Sequence, residues 1–506
     1  MGFISTGNKI GRISDGILIP MRPDRMRAVL WVVATIVVLL SVAEVVTYIK
    51  HEREISTVPD EQKIARTLEI IRTSTPTDHK VLKVLFFGQS IIKSGWEKAV
   101  IDHWREVYPN TVFVTENRAL GGFPASALIR TTDQNIHAFY PDLIVFHDYG
   151  NHHFYEKIIR QFRSQTAADV IVQTDHGTAI PDVPCREGLN FSLHPPPGCA
   201  GFLWVHQRDW YDEMSYHKIP SFAKKYGLAM EPQRTWWREY LLRTHIDPKS
   251  LLIDGLHPNE KGKALMAAFF NRYFDALVAS WHGQTEDHVQ SIPTNAVTVS
   301  NGAESVAFDG SRLELLTSKP LVTWPAVTVD GKPTSEIDGC YLISRASTVG
   351  IVPDWPAVRR ITLRHDHVAE EWTATLTDLS PDEKTFSFAV QGSVTGADGS
   401  GKSTQDFISR SGGLEIDAQD WMVERAFMHT HTPLPMPFVV HWSVKDVCAG
   451  TPEVIDLGNG AMQYRYVLVT GITNGPHSVE FRAPYDNLVN AIEFRAYKPE
   501  LVEPAF

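Results

Sequence analysis

The chain has 506 residues, 43% hydrophobic and 21% charged, a globular composition with length for two or three domains; a disordered chain and a single small domain are both excluded. Forty-eight Lys and Arg against fifty-nine Asp and Glu leave a net charge of −11, and with no long basic run to gather counterions, nucleic acid is excluded as a partner. Four cysteines, none in a C-x-x-C pair, exclude a zinc ribbon and a disulfide-dense mini-scaffold.

Residues 1–27 read as a basic tail, with Lys9, Arg12, Arg22, Arg25 and Arg27. Residues 28–49 begin with the uncharged run AVLWVVATIVVLLSVA and carry Glu44 as their one charge, which is apolar length enough to span a bilayer. Ser41 to Ala43 also forms a small-x-small cleavage site, so a membrane anchor and a cleaved signal sequence both remain open. Either one, by the positive-inside bias, places the bulk of the chain outside the cytoplasm, in a bacterial periplasm or at the cell surface. Residues 50–80 read as a polar, helical spacer.

From 81 to 285, short apolar runs alternate with helical patterns: Val81 to Phe87, Val112 to Thr115, Leu143 to His147 and Val170 to Gln173. Continuously apolar strands of this kind are covered by helices on both faces, so the expected fold is α/β, a three-layer α/β/α doubly wound parallel sheet. The long segment from about 176 to 250 suggests a cap over the site. Within it Cys185 and Cys199 flank a loop rich in Pro and Gly and are expected to bridge, or else to stay as buried free thiols; Cys340 and Cys448 then form a separate pair. Past a polar junction near 281–294, the pattern changes to short strands broken by Gly, Asp, Asn and Pro, and residues 286–506 read as an all-β sandwich domain. Its tryptophans, Trp324, Trp355, Trp372, Trp421 and Trp442, suit core packing better than a sugar-stacking platform.

In an open parallel sheet, ligands bind beyond the carboxyl ends of the strands. Three strand ends there carry chemistry. The first run ends in Gly88, Gln89 and Ser90, a turn that presents a serine hydroxyl at a helix start. The second is followed by Gly121 and Gly122, whose backbone N–H groups can approach a substrate oxygen. The third is followed by Asp148, Tyr149, Gly150 and Asn151, and an asparagine amide can donate to a developing oxyanion. Much later, Asp254 and His257 stand just before an amphipathic helix, in a turn that lets the carboxylate hold the imidazole as general base for Ser90.

In this order the four blocks resemble the SGNH (GDSL-like) hydrolase family over about residues 81–275. The resemblance implies a serine ester hydrolase with a Ser90, Asp254 and His257 triad. Its oxyanion hole would be the Ser90 and Gly122 backbone N–H groups and the Asn151 side chain. Gly121 and His152 are further substrate-binding candidates. Gln89 stands where the family usually has Asp, outside the triad, with little effect expected on the chemistry. The third block keeps Asn151 but has Tyr149 and His152 where the family has Gly and Asp. No cofactor is expected, and no metal, because His147, Asp148, His152 and His153 lack a ligand spacing; His429 and His431 read as surface residues. Lys93 and Arg118 read as solvated charges sooner than as an anion site.

The expected activity is removal of acetyl or other short acyl groups, with an acylated carbohydrate as the partner. The carbohydrate rests on the family tendency and the appended β domain. Two alternatives stand beside it: a membrane-tethered O-acyltransferase acting on an exopolysaccharide, and a catalytically silent glycan-binding surface protein. The oligomeric state is left open by the sequence.

Overall fold

The computed structural model describes residues 59–177, 210–283, 288–300, 303–348, 352–364, 368–425, 434–482 and 490–501. The basic tail, the anchor or signal segment, the first part of the spacer, the Cys185 and Cys199 pair, and His429 and His431 lie outside the described residues. Among those described, no helix is long and apolar enough to cross a membrane.

The chain enters through helix α1 (Ala65–Thr73) and the long strand β1 (Lys80–Gly88). It continues through α2 (Ser90–Lys93), α3 (Glu97–Val107), β2 (Thr111–Asn117), α4 (Ala125–Leu128), α5 (Thr132–Phe139), β3 (Leu143–His147), α6 (His152–Gln165) and β4 (Asp169–Gln173). After the undescribed stretch come α7 (Ile219–Lys225), β5 (Ala229–Glu231), α8 (Gln233–Thr244) and α9 (Glu260–Ser280). The five strands pair in parallel in the order β2-β1-β3-β4-β5. Burial on both faces explains the unbroken apolar runs: Leu82, Val84 and Phe86 of β1 face a core with α1, α3 and α9, while Leu85 and Phe87 face another with α4, α6 and α7. Residues 229–244 belong to this fold as the edge strand β5 and helix α8, so the segment expected as a cap supplies part of the sheet itself.

This strand order reverses direction between β1 and β3, the place where a doubly wound sheet opens a crevice at its carboxyl edge. Ser90 follows β1 there and the Asp148 to Asn151 loop follows β3.

The single sandwich that the strand pattern predicts over 286–506 divides into two cores. The first lies between two five-stranded antiparallel sheets, β11-β10-β24-β8-β7 and β22-β23-β9-β25-β6. These use β6 (Val289–Pro293), β7 (Thr298–Ser300), β8 (Ala303–Gly310), β9 (Arg312–Thr317), β10 (Ala326–Val329) and β11 (Lys332–Pro333), then β22 (Glu453–Asp456), β23 (Met462–Val469), β24 (Gly475–Arg482) and β25 (Ala491–Tyr497). Everything from β12 (Tyr341–Ile343) to β21 (Phe438–Asp446) is inserted between them and closes its own core between a seven-stranded and a three-stranded sheet. Cys340 and Cys448 are disulfide-bonded across the neck of that insertion. Period-two alternation marks a strand as half-buried but not which core it faces, so the sequence pattern merges the two.

Trp372 and Trp442 stack in the inserted core and Trp421 packs on Phe388, so these three tryptophans serve packing. Trp355 leaves its own module and joins the α/β core, edge-on to Phe123 with ring centroids 5.2 Å apart. Salt bridges join the halves as well: Lys83 with Glu453 at 2.7 Å, Arg163 with Glu500 at 2.7 Å, and Arg130 with Asp417 and Asp420.

Candidate active site

Gly88 closes β1 at φ +147°, and a Cβ there would come 1.9 Å from the His147 carbonyl oxygen. Only glycine lets β1 and β3 meet at the turn that presents Ser90. Ser90 is the first residue of α2, where the backbone N–H is one of the donors a helix start leaves unpaired. From the other end of the chain, the His257 carbonyl accepts from Ile253 N–H at 2.8 Å and the Leu251 carbonyl accepts from Asn259 N–H at 2.9 Å. Asn259 then caps α9 through Lys261 and Gly262. This tight turn, anchored to a 21-residue helix, carries Asp254 and His257 to the serine.

His257 Nε2 lies 2.8 Å from Ser90 Oγ, and His257 Nδ1 lies 2.7 Å from Asp254 Oδ2. The other carboxylate oxygen, Oδ1, accepts the backbone N–H groups of His257 at 2.8 Å and Leu256 at 3.0 Å. The backbone N–H of His257, its imidazole and the N–H of Leu256 hold the Asp254 carboxyl well below the usual range. It stays ionised and keeps hydrogen on Nδ1, leaving Nε2 as the base. The pair is open to solvent, with the His257 side chain 35% and that of Asp254 54% exposed.

The glycine loop is tied to both neighbouring turns. Leu120 N–H donates to Gly88 O at 2.9 Å and Ala125 N–H to Tyr149 O at 2.8 Å. A Cβ on Gly121 would stand 3.9 Å from Ser90 Cβ, which puts this loop beside Ser90. Gly122 has φ +72°, and a Cβ there would lie 3.6 Å from the Trp355 ring and 3.9 Å from Arg425 Nη1. Both neighbours come from the inserted β module.

Asn151 is the N-cap of α6: its Oδ1 accepts His153 N–H at 2.9 Å, which leaves the amide nitrogen as its donor. His152 is half-buried at the start of α6, its ring 4.1 Å from that of His153; burial, then His153 and Lys218, push its imidazole below the usual value. Of the groups weighed as metal ligands, His147 and Asp148 are buried, His152 is half-buried and His153 is exposed. Among the described residues no three His, Cys, Asp or Glu side chains are placed to share an ion. Arg118 is paired with Glu116 at 2.5 Å. A surface cavity of about 450 Å³ lies elsewhere, lined by Trp236, Tyr240 and Phe269 of α8 and α9.

Gln89 is closer to the chemistry than its place outside the triad suggests. Its Oε1 lies 2.6 Å from Ser90 Oγ and accepts Ile91 N–H at 3.0 Å. Beneath it lie two residues that the sequence reading passed over, Asp175 and His176, just past the carboxyl end of β4. The rule that directs attention to the ends of β1, β2 and β3 applies equally to β4, and was the available signal.

No family model and no curated protein matches the chain. Among solved structures it is similar to an acetylxylan esterase from Geobacillus stearothermophilus, at 15% identity and a TM-score of 0.31, over 40% of this chain and 95% of that one. It is also similar to a two-domain esterase active on acetylated mannans, co-crystallised with mannopentaose, at 11% identity and a TM-score of 0.33, over 88% of this chain and 95% of that one. At such scores neither likeness carries weight for the chemistry, which rests on the side-chain geometry.

Proposed function

We propose that the chain is a serine ester hydrolase that removes acetyl or other short acyl groups from a carbohydrate. The observation that carries this reading is the continuous line from Ser90 Oγ to His257 Nε2 at 2.8 Å and from His257 Nδ1 to Asp254 Oδ2 at 2.7 Å. In acylation, Ser90 Oγ attacks the ester carbonyl while His257 Nε2 takes its proton. The tetrahedral oxyanion is met by the Ser90 and Gly122 N–H groups and the Asn151 amide, and the alcohol leaves with the proton from His257. A water then repeats the sequence on the acyl-serine and releases the carboxylic acid.

The open setting of Asp254 and His257 suits an ester on a bulky, polar alcohol better than a buried lipid chain. Trp355 and Arg425 give the glycine loop a wall from the inserted module, a second surface for a long substrate. The Cys340–Cys448 disulfide supports placement outside the cytoplasm, where such bonds persist, with residues 28–49 as anchor or signal sequence.

The test is turnover of p-nitrophenyl acetate by the full chain beside Ser90→Ala and His257→Ala, each checked for folding. Loss of about 10⁴-fold or more in both, with fluorophosphonate labelling of the parent, is expected. A folded parent with neither turnover nor labelling overturns the enzyme reading in favour of glycan binding. Turnover that needs a sugar acceptor and frees no acetate makes it a transferase.

A further inference from the structure

A line of buried polar side chains runs under the site, and the triad chemistry makes no use of it. Gln89, His147, Asp175 and His176 are each at most 8% exposed. Gln89 Nε2 lies 3.2 Å from His147 Nδ1, His147 Nε2 lies 3.4 Å from Asp175 Oδ1, and His176 Nδ1 lies 2.9 Å from the same oxygen. His176 Nε2 then reaches the Leu256 carbonyl at 2.7 Å, one residue before His257.

The donors and acceptors at the two ends of this line are fixed by groups that can play only one part. Ile91 N–H fixes Gln89 Oε1 as the acceptor beside Ser90, so the Gln89 amide nitrogen points its hydrogens at His147. An amide nitrogen only donates, so His147 Nδ1 accepts, and its hydrogen sits on Nε2, the nitrogen 3.4 Å from the Asp175 carboxylate. Burial alone would raise the Asp175 carboxyl, but the His147 and His176 rings beside it hold it far below its usual range. A carbonyl only accepts, so His176 Nε2 carries hydrogen toward Leu256. Asp175 also receives the His176 backbone N–H at 2.8 Å. His176 is wedged by the edge of Trp237, with ring centroids 5.3 Å apart, and its carbonyl accepts from Arg234 Nη1 at 2.9 Å.

We propose that Gln89, His147, Asp175 and His176 form a buried positioning chain that holds the Ser90 hydroxyl and the Asp254–His257 turn in register with one another. The inference rests on the serine hydrolase reading. One end grips the nucleophile and the other grips the backbone of the base, two segments 167 residues apart in sequence. Ser90 has a single hydroxyl hydrogen and two neighbours within reach, Gln89 Oε1 and His257 Nε2. The hydrogen serves one of them at a time, and a rotation about the Cβ–Oγ bond moves it between Gln89 and His257.

The experiment measures kcat, KM and the fluorophosphonate labelling rate for full-length Gln89→Leu, Asp175→Asn, His147→Leu and His147→Asn, with Ser90→Ala as control. Asparagine at 147 keeps an acceptor near the Nδ1 position, whereas leucine removes it. Gln89→Leu, Asp175→Asn and His147→Leu are expected to lose about 100-fold in kcat and labelling rate, with KM changed by less than about threefold, as a misplacement near 1 Å would produce. His147→Asn is expected to recover most of that loss. Folded Gln89→Leu and His147→Leu proteins at parental kcat would overturn the chain, and so would an equal loss in His147→Asn and His147→Leu, which would mark lost packing. If Asp175→Asn fails to fold, the pair at 147 still decides. A fully active Ser90→Ala would sink the hydrolase reading itself, a result distinct from any of these.

Discussion

At the residue scale, Asn151 carries two duties that separate chemically. Its side-chain oxygen caps α6 through His153 N–H, and its amide nitrogen is the proposed oxyanion donor. A carboxylate keeps the cap and has no N–H to give. Asn151→Asp is therefore expected to lose about 10²- to 10³-fold in kcat with almost no change in thermal midpoint. Asn151→Ala is expected to lose the same activity and also about 1 kcal/mol of stability. Steady-state kinetics beside thermal unfolding of both variants checks this, and full activity in Asn151→Asp would remove Asn151 from the oxyanion hole. Asp254 gives a second case. Asp254→Asn leaves an amide where the carboxylate fixed the imidazole, and kcat is expected to fall between about 10² and 10⁴-fold, nearer the lower end because solvent can reorient an exposed ring. A parental kcat in a folded Asp254→Asn would assign the carboxylate to the turn alone.

At the element scale, β4 shows burial outweighing opposed hydrogen bonds and charges in setting a titration. Asp169 opens the strand, and its Oδ2 accepts Thr67 N–H from α1 at 2.7 Å. Burial pushes its carboxyl up to about 6, against the pull of the Thr67 bonds, Arg163 and Arg66. The folded value lies above the unfolded one, so the stability contributed is full below the unfolded value and is lost as pH rises through about 6. Asparagine keeps an acceptor for Thr67 and does not titrate. Relative to the parent, Asp169→Asn is expected to gain about 2–3 kcal/mol between about pH 4 and about pH 7. Urea unfolding at several pH values reads this difference, and parallel curves would refute it. The same strand marks how far the sequence is legible. Continuous apolar runs reveal β1, β3 and β4 because burial on both faces leaves its record in composition, and the motifs name Ser90, Asp254 and His257, whose side chains meet. Gln89, His147, Asp175 and His176 leave no such record. Their importance lies in a contact between strand ends and a turn far along the chain, and an Asp-His pair after a strand reads equally well as an ordinary loop.

At the scale of the whole molecule, the β half is nested, and the nesting gives the disulfide its meaning. The inserted module leaves the first sandwich just after Cys340 and returns just before Cys448, so the bond closes a loop of 108 residues at its neck. From inside that loop come Trp355 and Arg425, which reach Gly122, and Asp417 and Asp420, which grip Arg130. The module therefore walls the glycine loop, and on the proposed function its attachment is expected to bear on activity as well as on stability. In the chain-entropy model a loop of this length is worth between about 4 and 5 kcal/mol, most of it through restriction of the unfolded chain. Replacing both Cys340 and Cys448 by Ser is expected to cost between about 2 and 5 kcal/mol. The inserted module should unfold at lower denaturant than the parallel sheet, and esterase activity should fall with that first transition, because Gly122 then loses its wall. Tryptophan fluorescence and activity followed together through a urea titration distinguish this from a structural clip of no functional weight, for which activity would persist until the second transition.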